Sequence, residues 1–328
     1  MKMSSESPDA KVGAPALLRH VLNGETMGTR YSAVFFAPVS IDLGTIGTAL
    51  FAAVDQVDRQ MSTWKPESDL CRLNGAPIHQ WVDLPAELVA VLDISVQVST
   101  ESNNAFDIGV GSLVNAWGFG PTGQEPDPQQ IRALGQRAQR PAREALEIDL
   151  ALQRVRKNAP IALDLSGIAK GYGVDVLARC LDGFGITRYL VGIDGEMRAK
   201  GDKPDGQAWT VAIEKPVRHV REVMGVMELT DASIATSGDY RHWVQVGDKH
   251  FAHTIDPRNG RPVDNHLASV TVVMPSCMLA DAWATALLVM GAPAATELVQ
   301  HRGLTAVLVL LVDDAFEQIS IVDGVLQS

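Results

Sequence analysis

A carboxylate and an ammonium bracket small residues in Asp164-Leu-Ser-Gly-Ile-Ala-Lys170-Gly-Tyr172, a combination suited to holding a phosphate. Residues 161–164 alternate as a strand does, and residues 172–181 carry apolar side chains at helical spacing. The turn between them would therefore aim backbone N–H groups at an anion. The order of a Walker loop is absent. An Asp cap followed by a surface Lys is the simpler alternative. Downstream, His253 stands just before Asp256-Pro-Arg-Asn-Gly260. Asp-Pro and Asn-Gly are ordinary turn chemistry, whereas a histidine titrates near neutrality and can serve as a general base.

Asp281-Ala-Trp-Ala-Thr285 lies near the start of a helix. Its i,i+4 spacing puts a carboxylate and a hydroxyl on one face, where both could ligate a hard cation such as Mg²⁺; complementing the helix dipole would need the Asp alone. Met61-Ser-Thr-Trp64, followed by Ser68-Asp-Leu-Cys-Arg-Leu-Asn74, sets a large aromatic among turn residues, either as a stacking platform or as a core residue. Ala105-Phe-Asp107-Ile-Gly-Val-Gly111 only superficially matches a dinucleotide fingerprint, because Val114 occupies the place of the third glycine. These glycines instead suit close approach of the backbone to a ligand or a neighbouring strand.

Such side chains need elements to position them. Residues 31–36 read as a strand, and residues 42–60 as an amphipathic helix with Ile46, Leu50, Val54 and Val57 on one face. A second helix spans 85–100. Residues 120–141, rich in Pro, Gly and Gln, read as a surface excursion with a short helix over 128–137. Two strands pair within 148–165, and 188–198 returns as one strand. Residues 209–214, 223–229 and 241–253 alternate at the β period, the last as a hairpin turning at Gly247-Asp248. Helices over 277–290 and 293–301 precede two closing strands. Without a repeat or a clean linker, an interleaved α+β architecture is predicted.

The chain has 328 residues, 46% of them apolar, enough for a substantial core. Its net charge of −11 argues against nucleic acid or an anionic membrane as a partner, so a phosphate-bearing ligand must be held locally, with a divalent metal as natural helper. Cys71, Cys180 and Cys277 are widely spaced and read as buried free thiols. The apolar run at 304–312 is too short to span a bilayer. The polar N-terminus reads as a flexible tail over 1–20 rather than a secretory leader, which predicts a cytoplasmic protein; a leader removed beforehand would instead imply the periplasm.

Nine segments in order resemble the ApbE family of flavin transferases, enzymes that attach FMN from FAD to a protein threonine. To the motifs above they add Met27-Gly-Thr29, Trp117-Gly-Phe-Gly120 and Ala235-Thr-Ser-Gly-Asp-Tyr240. The resemblance implies an α+β fold with a T-fold-like core, mixed sheets and packed helices, forming one domain over 21–328. It places FAD, as substrate, against Met27, Trp64, Ala105, Phe106, Asp107, Asp164, Lys170 and Ile255. It puts Mg²⁺ on Asp281, Thr285 and the backbone carbonyl of Gly167, and it makes His253 the catalytic residue alongside Asp281. The implied partner is a threonine-bearing acceptor flavoprotein, a subunit of a redox chain. Trp64, Cys71 and Ile193-Asp-Gly-Glu196 depart from the family's Tyr, Ser and Ile-Gly-Gly-Asp. The same residues would serve a Mg²⁺-dependent FAD pyrophosphatase, and a non-catalytic flavin-binding protein is the remaining alternative.

Overall fold

The computed structural model describes residues 16–121, 125–136, 140–217, 222–239, 243–246, 249–313 and 315–327. The chain opens on an antiparallel hairpin, β1 (Leu17–Thr26) and β2 (Thr29–Pro38), turned at Met27 and Gly28, both at positive φ. The first strand therefore begins inside the stretch read as tail. α1 (Leu43–Met61) follows, its first turn capped by the Asp42 carboxylate, with Ile46, Leu50, Val54 and Val57 buried as their spacing predicts. Next come α2 (Asp69–Gly75), β3 (Val82–Asp83), α3 (Ala86–Glu101), α4 (Gly111–Ala116), α5 (Pro128–Gln136) and α6 (Ala142–Ala145). α5 is the helix expected in the Pro/Gly-rich excursion. β4 (Leu146–Asp149) and β5 (Arg154–Lys157) pair and, with β3, make a small three-stranded sheet.

α7 (Ala169–Gly183) leads into β6 (Tyr189–Ile193) and β7 (Glu196–Lys200). Here one strand was predicted and two are found. Asp194 and Gly195 both adopt positive φ, the primed-turn signature of an Asp-Gly hairpin, and fold residues 189–200 back on themselves. β8 (Trp209–Glu214) and β9 (Val223–Leu229) form a separate hairpin. They are followed by β10 (Ser233–Gly238), β11 (Trp243–Val246), β12 (Lys249–Ala252), β13 (Ile255–Asp256), β14 (Arg261–Pro262) and β15 (Leu267–Met274). β11 pairs with β12 as expected, although Gly247 and Asp248 lie outside the described residues. α8 (Cys277–Met290), α9 (Ala292–Arg302), β16 (Thr305–Val312), β17 (Ala315–Val322) and β18 (Val325–Leu326) complete the chain.

Nine strands form one antiparallel sheet in the order β1-β2-β6-β7-β10-β15-β16-β17-β18. Alternation divides its faces. Ala33 and Phe35 of β2 pack with Val191 and Ile193 of β6 against α1 and α7, and Val270 and Val272 of β15 join the core built on α3, α8 and α9. On the other face, Phe36, Met197 and Ile234 meet Trp209 of the β8–β9 hairpin. The two halves of the sheet join weakly. β7 and β10 pair only at Arg198↔Ser233 and Met197↔Ile234, and Asp194, Glu196, Thr236 and Ser237 beside this junction line a cavity.

Two further expectations are corrected. Residues 161–164 do not build a ladder; they run extended beside the Ala105–Gly111 loop through one bridge, Val110↔Ala162. Of the cysteines, all free, Cys277 is buried, whereas Cys71 and Cys180 are half-buried.

Candidate active site

The loop 105–111 and the extended segment 161–165 are held side by side by Asp164 N–H on the Ile108 carbonyl (2.8 Å) and Gly111 N–H on the Ala162 carbonyl (3.0 Å). A Cβ on Gly111 would lie 2.8 Å from that carbonyl oxygen, so this glycine is required by backbone approach. Asn74, at the end of α2, grips the same segment: its amide donates to the Leu163 carbonyl and accepts from the Leu163 N–H. Asp107 is buried, and its carboxylate accepts from Gly109 N–H (2.8 Å) and Ala142 N–H (3.1 Å). Burial nevertheless raises its pKa, partly offset by those bonds. Asp164 accepts from Ser166 N–H (2.8 Å) and so shapes the turn into α7.

α8 delivers the second wall and is fixed at both ends. Asp175 of α7 accepts from Ser276 Oγ, Cys277 N–H and Met278 N–H at its start, and also pairs with Arg198. At its end, the Leu288 and Val289 carbonyls accept from Asn265 and Arg258. Arg258 is itself held by two bonds to Asp256 (2.9 and 3.0 Å), so Asp256–Gly260 is a structural turn that anchors the helix. Gly171 allows α7 to touch α8, since a Cβ there would stand 2.3 Å from the Cys277 carbonyl oxygen. Asp281 then reaches across and accepts from Gly171 N–H (2.9 Å).

Lys170 projects between acids, 2.7 Å from Glu196 and 3.5 Å from Asp194. Burial opposes its charge, but Glu196, Asp281 and Asp194 together hold its pKa above the ordinary lysine value. Asp281 is 4% exposed. Burial and then repulsion from Glu196 push its pKa up to about 7, against the pull of Lys170 and the Gly171 N–H. Thr285, one turn further along α8, shares a hydrogen bond with Ser237 of β10 (3.0 Å) and lies against Gly167.

These groups surround one cavity of about 150 Å³. Ala105, Phe106, Asp107, Asp164, Gly167, Lys170, His253, Ile255, Asp281 and Thr285 all line it, as do Asp194, Glu196, Thr236, Ser237 and Gly238. His253, at the bend between β12 and β13, meets Phe119 edge-on at 6.3 Å. Met27 and Trp64 are outside this lining. Met27 packs on α7 beside Gly173, and Trp64, 63% exposed, stands on the loop ahead of α2.

Among the described residues no group of three or more His, Cys, Asp or Glu forms an all-protein metal cage. Mg²⁺ does not need one, since it favours one or two carboxylates completed by waters and substrate phosphates. The residues present fit that pattern: a buried carboxylate on Asp281, the Thr285 hydroxyl against Gly167, and a buried Glu196 Oε2 without a hydrogen-bond partner. Three carboxylates around one ammonium leave an excess of negative charge.

The description "ApbE family" applies to a model that matches residues 27–308, and so covers most of the fold and every cavity residue. The chain belongs to the ApbE family. Among curated proteins similar to it are the FAD:protein FMN transferases of Vibrio cholerae, 36% identical over 90% of this chain and 89% of that one, and of Klebsiella pneumoniae, 33% identical over 93% and 88%. Among solved structures, the Vibrio cholerae flavin transferase ApbE superposes with TM-score 0.82 at 35% identity, covering 93% of this chain and 97% of that one. The apo flavinyl transferase ApbE of Pseudomonas stutzeri gives 0.83 at 32%, covering 94% and 96%. The α+β class expected from sequence is thus the fold of ApbE proteins.

Sequence reading gave no role to three residues around this cavity. Ser237 bonds Thr285, Asp175 fixes α8, and Glu196 pairs with Lys170. Glu196 left a signal as a departure from the family's turn motif, and Ser237 as part of the Ala235–Tyr240 motif, to which no role was given. Asp175 left none, and the partners of both Asp175 and Ser237 lie far away in sequence.

Proposed function

We propose that this chain is a Mg²⁺-dependent FAD:protein FMN transferase that esterifies an acceptor threonine with FMN and releases AMP. Membership of the ApbE family and curated relatives carrying that name support the transferase class. The observation that carries the mechanism is the convergence of Lys170, Asp281, Thr285 and His253 on one cavity.

Asp281, Thr285 and the Gly167 carbonyl would hold Mg²⁺, which supplies charge neutralisation for the FAD pyrophosphate. Lys170 faces that pyrophosphate as a fixed cation, its orientation set by Glu196 and Asp194. His253 accepts the proton of the acceptor's hydroxyl as the threonine oxygen attacks the phosphorus of the FMN half. The bond from that phosphorus to the bridging oxygen breaks, and the oxygen leaves with AMP. Phe106 and Ile255, both buried, restrict water around the reacting atoms. Trp64, open to solvent, would stack on a ring of FAD. AMP release from FAD in the presence of Mg²⁺ tests this reading: it should stop in excess chelator and in Asp281→Ala. Undiminished release in either would remove Asp281 from the mechanism.

A further inference from the structure

The Trp117-Gly-Phe-Gly120 segment takes no part in the chemistry above, yet it ends α4 beside the cavity, which Val114 of that helix lines. Gly118, at φ 81°, turns the chain there, and Trp117 and Phe119 on either side of it both reach the segment that carries His253. The contacts come in step. Trp117 meets Phe251 at 5.0 Å between ring centroids, and two residues further along each segment Phe119 meets His253 edge-on at 6.3 Å, with the ring planes at 72°. Both separations lie within the range of attractive aromatic pairs.

This two-rung ladder is anchored from both sides. Trp117 is buried, and its indole N–H donates to the Gly260 carbonyl at 3.4 Å, in the turn whose Arg258 holds the end of α8. Ile131 and Leu134 of α5 pack in the same small core as Trp117, Phe119 and Ile255. The start of α5 is tied to α4 by Asp127 N–H on the Ala116 carbonyl (3.0 Å). Phe119 is half-buried and is not among the residues that line the cavity, whereas His253 is. His253 stands at the bend between β12 and β13, outside either strand. A base at such a bend serves one particular proton only if its ring is held in place.

We propose that Phe119 is a positioning residue for His253: its ring packs against the imidazole and keeps it turned to the cavity, so that the acceptor hydroxyl meets a base already in place. This rests on the transferase reading above, in which His253 is that base. Phe119 acts through His253 and contacts neither substrate. The short helix of the Pro/Gly-rich excursion, packed in the same core, braces the pair.

One readout tests the contact and another the chemistry. The carbon-bound imidazole protons of His253, assigned by their loss in His253→Ala, should move in the NMR spectrum of Phe119→Leu, which keeps the bulk and removes the ring. In Phe119→Tyr they should stay near their wild-type positions. Single-turnover AMP release from FAD and Mg²⁺ is measured without and with a short alanine/serine peptide carrying one threonine. It should slow by about 10-fold or more in Phe119→Leu, at an unchanged FAD dissociation constant, because a misplaced base loses much of its advantage. Phe119→Tyr should retain most of the rate. In a His253→Ala background, Phe119→Leu should cost almost nothing further, whereas a merely structural role would lower the rate there too. A wild-type rate in Phe119→Leu, equal losses in Phe119→Leu and Phe119→Tyr, weaker FAD binding in place of slower chemistry, or equal losses with and without His253 would each overturn the proposal. So would His253 signals that do not move. Absence of AMP from the wild-type protein would instead sink the transferase reading, and the imidazole signals would still show whether Phe119 holds His253.

Discussion

At the scale of residues, the account turns on Asp281, His253 and Trp64. Asp281 has a folded pKa of about 7 against an ordinary 3.8, so the folded protein keeps a proton that the unfolded chain gives up. Its contribution to stability is complete below the unfolded value and is lost as pH rises through about 4 to about 7. In metal-free protein, melting temperature should fall across that window more than in Asp281→Asn; parallel curves would show no such titration. Only the carboxylate can ligate a cation, so FAD turnover should rise over the same range. His253→Ala should bind FAD almost normally yet transfer FMN roughly 10²-fold more slowly or worse, because general-base assistance is worth about that much. Single-turnover transfer beside an FAD titration would separate the two, and a wild-type rate would leave His253 without the role. Trp64→Ala, at an exposed site, should keep the melting temperature and raise the FAD dissociation constant several-fold, since a stacked ring is worth on the order of 1 kcal/mol. Unchanged affinity would detach Trp64 from the flavin.

At the scale of elements, the site depends on α8 keeping its place against α7 and β10. Gly171→Ala would drive a methyl group into the Cys277 carbonyl and toward Asp281 Cβ. Overpacking of this kind costs about 1–3 kcal/mol, and the shift should displace Asp281, so both stability and turnover should fall. A variant that is destabilised but fully active would show that α8 tolerates displacement. Most helices were legible because their signals are local: the Asp42 cap, the 3.6-residue period of α1, the Ser276 cap and the mainly apolar run of α8, broken by Asp281 and Thr285. The β6–β7 hairpin was missed, although Asp-Gly is a strong turn signal, because Ile193 and Glu196–Arg198 continue the alternation on either side of the turn. Residues 161–164 failed as a strand for another reason. Alternation alone does not supply a pairing partner, and this segment bonds to a glycine loop and to Asn74 instead.

At the scale of the whole molecule, the proposed function requires an acidic chain to bind the phosphates of FAD. In that proposal the work falls to one lysine and a cation-seeking group of carboxylates gathered where the two halves of the sheet meet. Motif order located almost every wall of the cavity, since Asp164–Lys170, His253–Ile255 and Asp281–Thr285 are each short, local units. What no local pattern could reveal is their assembly, which depends on the two-pair junction of β7 with β10 and on Asp175 reaching from α7 to α8. The central claim is that FMN leaves FAD for a threonine rather than for water. The most direct test incubates the protein with FAD, Mg²⁺ and a threonine-bearing acceptor, then compares AMP released with the mass of the acceptor. The account predicts equal amounts of AMP and FMN-bearing acceptor, with FMN mapped to the threonine oxygen and both lost in Asp281→Ala. AMP accompanied by free FMN and an acceptor of unchanged mass would contradict it and make the protein a pyrophosphatase.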